Sequence, residues 1–523
     1  MQIDIVWDGK RWQFPNHPVE IVESIDILAN PPRYSPRRFR TAVDMGDVIA
    51  YIAAGHAVGA IQCMISRDGR VRSSAPVVKI DAGRQGDLTV LHVADAPGLD
   101  KATIPPERPM AIRFIDEAAT DELNAAIDFR NMRRRQALWS ELLAPDMPGW
   151  KREGNEFTQE THGTVYDERI RGMIYPLIFG NPGREVTSAP GPFQRASATR
   201  AFPIDDVSKY LMVAGHLTTN GTIRVLQDGS ATGVEVLTTE TAVDDLGRSI
   251  TQIDVSAAAT ITYVEGDTYT TAWNGTASGL PNNAADVLGY LAAHTEGIRV
   301  DLASLETVAE RLAGYTLDRY IDEPASPWRM LLTEVLPLVP VALVPTSNGV
   351  GFVWLNFDPT DADIRMTITE GPGFSAVTTT LPVDSGEKVI NNWTLRYNFS
   401  VISGAYRTSA RAEPSSYQAA AQSVSEYGTR DNSAQTAWIY ERLTAERVVS
   451  DWMIRDHRAR LEVQYLANPA TYGIEGTTPL EAGMIVQITD ASHSLTSAKA
   501  MVTKSRRFGD DLRITLTILD GWG

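Results

Sequence analysis

Asparagine–glycine and aspartate–glycine dipeptides set between short apolar runs constrain this chain more than any other feature. Asp8-Gly9, Asp68-Gly69, Asn220-Gly221, Asp228-Gly229 and Asn348-Gly349 all stand beside such runs. These dipeptides reach positive φ at little cost, which is the geometry that folds a twisted strand straight back on itself. The strand after Asp8-Gly9 is Lys10–Phe14. The run before Asp68-Gly69 is 58–65, and further segments follow at 77–80 and 88–93. Thr222–Leu226, Gly233–Leu237, 261–264 and Tyr269–Trp273 continue the pattern, as do Val341–Val344 and Phe352–Phe357 around Asn348-Gly349. The last third adds 389–397, 461–466, 484–489, 500–504 and 513–519. The reading is an α+β fold, mainly β, in several domains: antiparallel barrel or sandwich domains of tube-like kind plus a small helical α+β module.

Helical spacing is confined to a few windows. Residues 120–143 predict one long helix, ended by Pro145 and Pro148-Gly149. Asn283 caps a helix running to His294. Asp301 opens another to Leu312, with Gly314 just past its end. Ser326-Pro327, a cap residue before a first-turn proline, starts a third to Leu336. A fourth is expected over 435–459, with Ile439, Leu443, Val448, Trp452 and Met453 on its core face. Residues 408–434 are poor in apolar groups and read as a polar excursion. The domains expected are 1–172 (β-rich with one helix), 173–280 (connector and first tube-like β domain), 281–385 (acidic α+β module) and 386–523 (second β-barrel with the helix 435–459).

A single cysteine among 523 residues excludes an internal disulfide, a cysteine-ligated zinc site and an iron–sulfur cluster. The first residues lack a basic region followed by an apolar run, and the apolar stretch 335–345 is broken by Pro337, Pro340 and Pro345. A soluble chain made in a reducing cytosol, with no membrane segment, is therefore expected. The formal charge of −17 is uneven: residues 203–390 hold 9 basic and 25 acidic groups, while 391–523 balance at 14 and 14. Such a field repels polyanions, so the middle region suits a solvated surface or a lining past which nucleic acid slides.

No constellation carries chemistry. Successive histidines are at least 36 positions apart, so no local metal pair exists. His294 with Glu296 reads as a solvated helix end, and Cys63 in the alternating run 60–65 as a small buried hydrophobe. Arg130 and Arg133–Arg135 form the strongest basic cluster, and an exposed helix face or an intersubunit ion-pair belt accounts for it. Catalytic, cofactor-binding and metal residues are expected to be none, and cofactors likewise none.

The ordered segments resemble a family. A β-rich start leads to Tyr175-Pro-Leu-Ile-Phe-Gly180; the helical module 286–343 follows, with Leu-Ala-Gly-Tyr at 312–315 and Ser-Pro-Trp-Arg-Met-Leu-Leu at 326–332. The strand 389–397 and the ending Leu480-Glu-Ala-Gly-Met-Ile-Val-Gln-Ile488 complete the pattern. This is similar to the hub proteins at the tips of bacteriophage tails, the baseplate hubs of contractile phages and the tail-tip hubs of siphophages. The resemblance implies a non-enzymatic virion protein: a homotrimer in which two barrel-like domains per subunit, here 210–273 and 389–519, continue the tail tube as a pseudo-sixfold ring. It further implies a distal tail protein, a tail fibre or spike protein and a tape-measure protein as partners, DNA only in transit, and release of DNA on opening. Trp438 and Trp452 are candidate interface aromatics. A tail-associated cell-wall hydrolase, a glycan-binding adhesin and a distal tail protein remain the alternatives.

Overall fold

The computed structural model describes the backbone of nine strands between residues 2 and 159, and most of residues 176–520 with their side chains. Hairpins stand beside three of the turn dipeptides. Gln2–Trp7 and Lys10–Phe14 pair with Trp7 opposite Lys10. Gln62–Arg67 and Arg70–Asp81 pair with Arg67 opposite Arg70. Val341–Thr346 and Gly349–Trp354 pair with Thr346 opposite Gly349, so Gly349 belongs to the strand. Asn220-Gly221 instead links Tyr210–Ala214 to Thr222–Gln227, which are not neighbours in the sheet. The helix expected over 120–143, with Arg130 and Arg133–Arg135, lies outside the described residues.

Six strands close a barrel in the order Thr199–Pro203, Tyr210–Ala214, Ser249–Asp254, Val234–Val243, Thr222–Gln227, Tyr269–Ala272, and every pairing is antiparallel. Thr199–Pro203 was expected in the connector and Ser249–Asp254 in no strand at all. Both are short and rich in polar residues, so their pattern is weak until neighbouring strands supply partners. Leu211, Val213, Ile223, Val225, Ile253 and Trp273 fill the barrel's core.

A second core gathers the helices. Ala284–Ala293 begins as read, with the Asn283 side chain accepting from the Ala285 N–H at 2.9 Å. Leu302–Leu312 is capped by Asp301. Pro327–Met330 is capped by Ser326, which accepts from the Arg329 N–H at 3.2 Å. That last helix does not run on as an α-helix: it widens to a π turn over Leu331–Val335 and a 3-10 turn over Leu336–Leu338. Pro337 has no N–H with which to continue the ladder.

Residues 408–434 gain defined elements, and the helix expected after them is corrected. The polar excursion is ordered: Ala405–Ala412 pairs antiparallel, and Asp431–Gln435 parallel, with Asn392–Ser400, and the helix Gln418–Tyr427 lies between them. Its strands are largely exposed, which is why the segment reads as polar. The following helix spans Arg442–Asp456 and does not start at Gln435, which ends a strand. Trp438, Ile439 and Tyr440 are buried in the intervening non-helical segment. Apolar residues at helical spacing thus came from two different elements. Trp393, Leu395, Val448, Trp452 and Trp438 all belong to the helical core.

The closing strands Met366–Thr369, Ile485–Asp490, Leu495–Phe508, Asp511–Ile518, Glu462–Ala467 and Phe374–Thr380, in that spatial order, are part of an open sheet of thirteen. Its first pair is parallel and the rest are antiparallel. Phe374, Val463, Tyr465, Val486, Ile488, Ile514 and Leu516 share its core. The strand Asn392–Ser400, read from sequence as part of this barrel, packs in the helical core instead, and the acidic middle of the chain lends Met366–Thr380 in its place. The long strand Leu495–Phe508 also pairs with Glu20–Asp26, so the N-terminal strands continue the same sheet. Among the described residues no helix is long and apolar enough to cross a membrane.

Candidate functional site

Chain connectivity places a two-stranded ribbon between the barrel and the helical core. Leu177–Phe179 pairs antiparallel with Arg319–Ile321, Ile178 opposite Tyr320. Side chains alternate across a strand, and here both faces are used. Leu177, Phe179 and Ile321 enter the helical core, whereas Ile178 and Tyr320 enter the barrel core. Residues 176–180 of the apolar motif are therefore a shared wall, buried throughout because neither face meets water. At its end Gly180 turns at φ +59°, where a Cβ would strike the side chains of Asp318 and Asn282. Asp318 Oδ1 accepts the Asn181 N–H at 2.8 Å and the Asn282 amide at 2.7 Å, fixing the exit of the ribbon.

His216 ties the barrel to that wall. Its Nε2 accepts the Ile178 N–H at 3.0 Å and its Nδ1 lies 2.9 Å from the Leu217 carbonyl, an arrangement only the neutral ring with its proton on Nδ1 satisfies. Burial holds the ring below the ordinary histidine range, opposed in part by the Leu217 carbonyl. Sequence reasoning passed over His216 because a lone histidine carries no pattern; only the fold supplies its partner, 38 residues away.

The barrel's interior mixes apolar groups with threonine. Trp273 is fully buried, and its indole N–H lies 3.1 Å from both Thr199 Oγ1 and Thr271 Oγ1. Outside, Tyr210 stands opposite Asp254, and Gln252 opposite Glu240. The carboxylates of Asp254 and Glu240 push the Tyr210 hydroxyl up from its ordinary value. This outer face carries part of the excess negative charge, as expected for the acidic middle region.

In the open sheet one buried carboxylate gathers a polar cluster. Asp490 is fully buried and accepts from Tyr465 Oη at 2.7 Å, Ser492 Oγ at 2.5 Å and the Ser492 N–H at 2.9 Å, with His493 Nδ1 at 2.7 Å. Burial works against its charge, but the bonds from Ser492, Tyr465 and His493 prevail and hold it well below the ordinary carboxylate range. Serine, histidine and aspartate together invite comparison with a hydrolytic triad, and the geometry does not make one. Ser492 Oγ and Asp490 both meet the same ring nitrogen, Nδ1 of His493, whereas a relay needs one at each nitrogen. The cluster closes a turn at the end of the strand Ile485–Asp490.

Other residues singled out from sequence fall as follows. His294 stacks on Tyr290 with ring centroids 3.9 Å apart, at the helix end. Trp438 and Trp452 are 1% and 6% exposed, with indole N–H groups on Glu334 Oε2 (2.9 Å) and the Pro337 carbonyl (2.8 Å). They are core residues, which removes them as interface anchors. Cys63 falls on the strand Gln62–Arg67. Among the described residues no three histidine, cysteine, aspartate or glutamate side chains converge as a metal site.

No family model matches the chain, and no curated protein matches it in sequence. Solved structures do match. A tail protein from Neisseria meningitidis MC58 is 10% identical, with 100% of this chain and 99% of that one covered and a TM-score of 0.39. The 43 kDa tail protein of prophage MuSo2 from Shewanella oneidensis is 9% identical over 99% and 96%, with a TM-score of 0.40. A chain in the virion of a native gene transfer agent particle is 12% identical over 67% and 85%, with a TM-score of 0.38. Two of these neighbours are described as tail proteins and one as part of a virion. At such identities and scores the likeness assigns no family.

Proposed function

We propose that this chain is a structural protein of a bacteriophage tail, and within the tail a homotrimeric hub at the tip. The observation that carries the reading is a closed six-stranded barrel and a second, open sheet in one chain, the barrel joined to the helical core by a wall buried on both faces. Three copies supply six such sheets, enough for a ring that continues a tube. The resemblance of the ribbon, helical and closing-strand motifs to tail-tip hubs points the same way. In this reading the ring meets a distal tail protein on one side and a fibre or spike on the other, and DNA passes along an acidic lining that does not retain it.

The test is size-exclusion chromatography with light scattering, followed by electron microscopy of the chain alone and with a distal tail protein. A threefold ring is the expected result. A chain that stays monomeric on the assembled tube overturns the hub. Clearing of peptidoglycan in a zymogram, or selective capture on a glycan array, would replace it with the hydrolase or the adhesin.

A further inference from the structure

The helix Arg442–Asp456 ends on Asp456-His457-Arg458-Ala459-Arg460, one acid followed by three bases, and the chain then enters the strand Glu462–Ala467. Asp456 is already engaged, because Arg455 holds both its oxygens at 2.7 and 2.8 Å. The bases that follow border a seam between the helical core and the open sheet. A small apolar cluster fills it: Ile454 from the helix, Leu355, Phe357 and Ile364 from the crossover 355–365, and Ile485, Met501 and Leu519 from the sheet. Arg458 bonds the Leu519 carbonyl across the seam. Arg460 bonds the Ile454 carbonyl at 2.8 Å and stands 4.6 Å from the Phe357 ring centre.

His457 is 3% exposed. Its Nδ1 lies 3.0 Å from the carbonyls of both Met453 and Ile454, so the ring's proton sits on Nδ1 and Nε2 is bare. Tyr417, which feels the Asp358 carboxylate, meets the ring edge-on with centroids 5.3 Å apart. Among the described residues, Nε2 of His457 and Nε and Nη1 of Arg460 are buried with no hydrogen-bond partner. A second proton on the ring must therefore go to a buried atom that has no acceptor, close to two guanidinium groups. Burial, with the charges of Arg460 and Arg458, holds the ring below the ordinary histidine range against the pull of the two carbonyls. We propose that this seam is an acid-sensitive joint, at which protonation of His457 loosens the open sheet from the helical core. Once the seam opens, the ring reaches water and takes its proton without penalty, so acid favours the open form. The joint is complete within one chain and needs no second copy.

Hydrogen exchange on the full chain tests this, with rates corrected for the intrinsic pH dependence of amide exchange. A ring held low in the closed form and released in the open one favours opening by up to about tenfold per pH unit below about 6.5. Protection at 355–365 and 454–461 should thus fall about tenfold between about pH 7.5 and about pH 5. His457→Gln keeps a donor for the two carbonyls and cannot titrate, and should abolish that fall. Arg460→Met removes one repelling charge and should reduce it. Peptides from the barrel strands Thr222–Gln227 and Val234–Val243 should respond alike in all three proteins, which separates the joint from general acid unfolding. Protection at the seam that does not depend on pH, or a fall that survives His457→Gln, overturns the joint. An undiminished fall in Arg460→Met overturns it too, a reading that stands even where His457→Gln fails to fold.

Discussion

The barrel and the open sheet treat their edges in opposite ways. Every strand of the barrel has a neighbour on each side, so its backbone donors and acceptors are used within the unit. The open sheet ends on Met366–Thr369 and Phe374–Thr380, two strands without a charged residue, and spends part of its longest strand on Glu20–Asp26. Beside the second of those ends, Val377 and Leu466 are 47% and 37% exposed on neighbouring strands. Closure makes a sheet self-sufficient. Leaving edges keeps pairing capacity for other segments.

The sharpest way to break the comparison is to attack the closed unit. Trp273→Ala removes a fully buried indole and its bonds to Thr199 and Thr271, and should cost about 3–5 kcal/mol. Denaturant unfolding followed by exchange on separate peptides should show the barrel strands opening before the open sheet; simultaneous loss of both would mean that the ribbon makes them one cooperative unit.

Asp490→Asn should cost the open sheet about 2–3 kcal/mol, because Tyr465, Ser492 and His493 lose a charged acceptor. The native carboxyl sits below its ordinary value near 4, so its stabilisation is complete above that pH and is lost as pH falls further. Thermal melts of the wild type and variant from about pH 6 to pH 2 should therefore converge in the acid range.

A smaller effect is expected at His216. Its folded value is lowered, so its contribution is full above the unfolded value near 6.5 and drains away as pH falls from there through the folded value. Protonation turns the acceptor for Ile178 N–H into a donor, at a cost of about 1 kcal/mol. His216→Gln keeps an acceptor that does not titrate, and its melting temperature should fall less between about pH 7 and pH 5 than that of the wild type. Since burial also lowers His457, the difference between the two proteins, rather than the slope of either, is the measure.

Least in stability but most direct for assembly is Val377→Lys. An exposed substitution should shift folding by no more than about 0.5 kcal/mol. A lysine beside the uncharged edge should nevertheless weaken self-association in sedimentation if that edge takes part in the ring. Unchanged association would move the seam elsewhere.

Local chemistry was legible wherever a short stretch carries its own partners. Asp8-Gly9 and Asp68-Gly69 mark hairpins because a short loop leaves the register little freedom, whereas at Asn348-Gly349 the glycine is already in the strand, opposite Thr346. Asn283, Asp301 and Ser326 mark helix starts because each cap bonds within three residues of itself. His216 and Asp490 passed unnoticed because their partners lie far away in the chain or gain meaning only from burial. The errors came at junctions. Trp438, Ile439 and Tyr440 mimic the face of the helix that begins after Glu441, and Pro337 turns an expected α-helix into a π and a 3-10 turn.

By itself, then, the amino-acid order determined the hairpins, the capped helices, the predominance of strand and the placement of charge, since all of these arise from neighbours within a few residues. Tertiary structure alone decided which strands share a sheet: that Thr199–Pro203 closes a barrel, that Asn392–Ser400 joins the helices, and that Glu20–Asp26 meets Lys504–Phe508. Pairing between distant strands depends on the area buried and the charges matched once many segments meet at once, and no single window of sequence contains that sum.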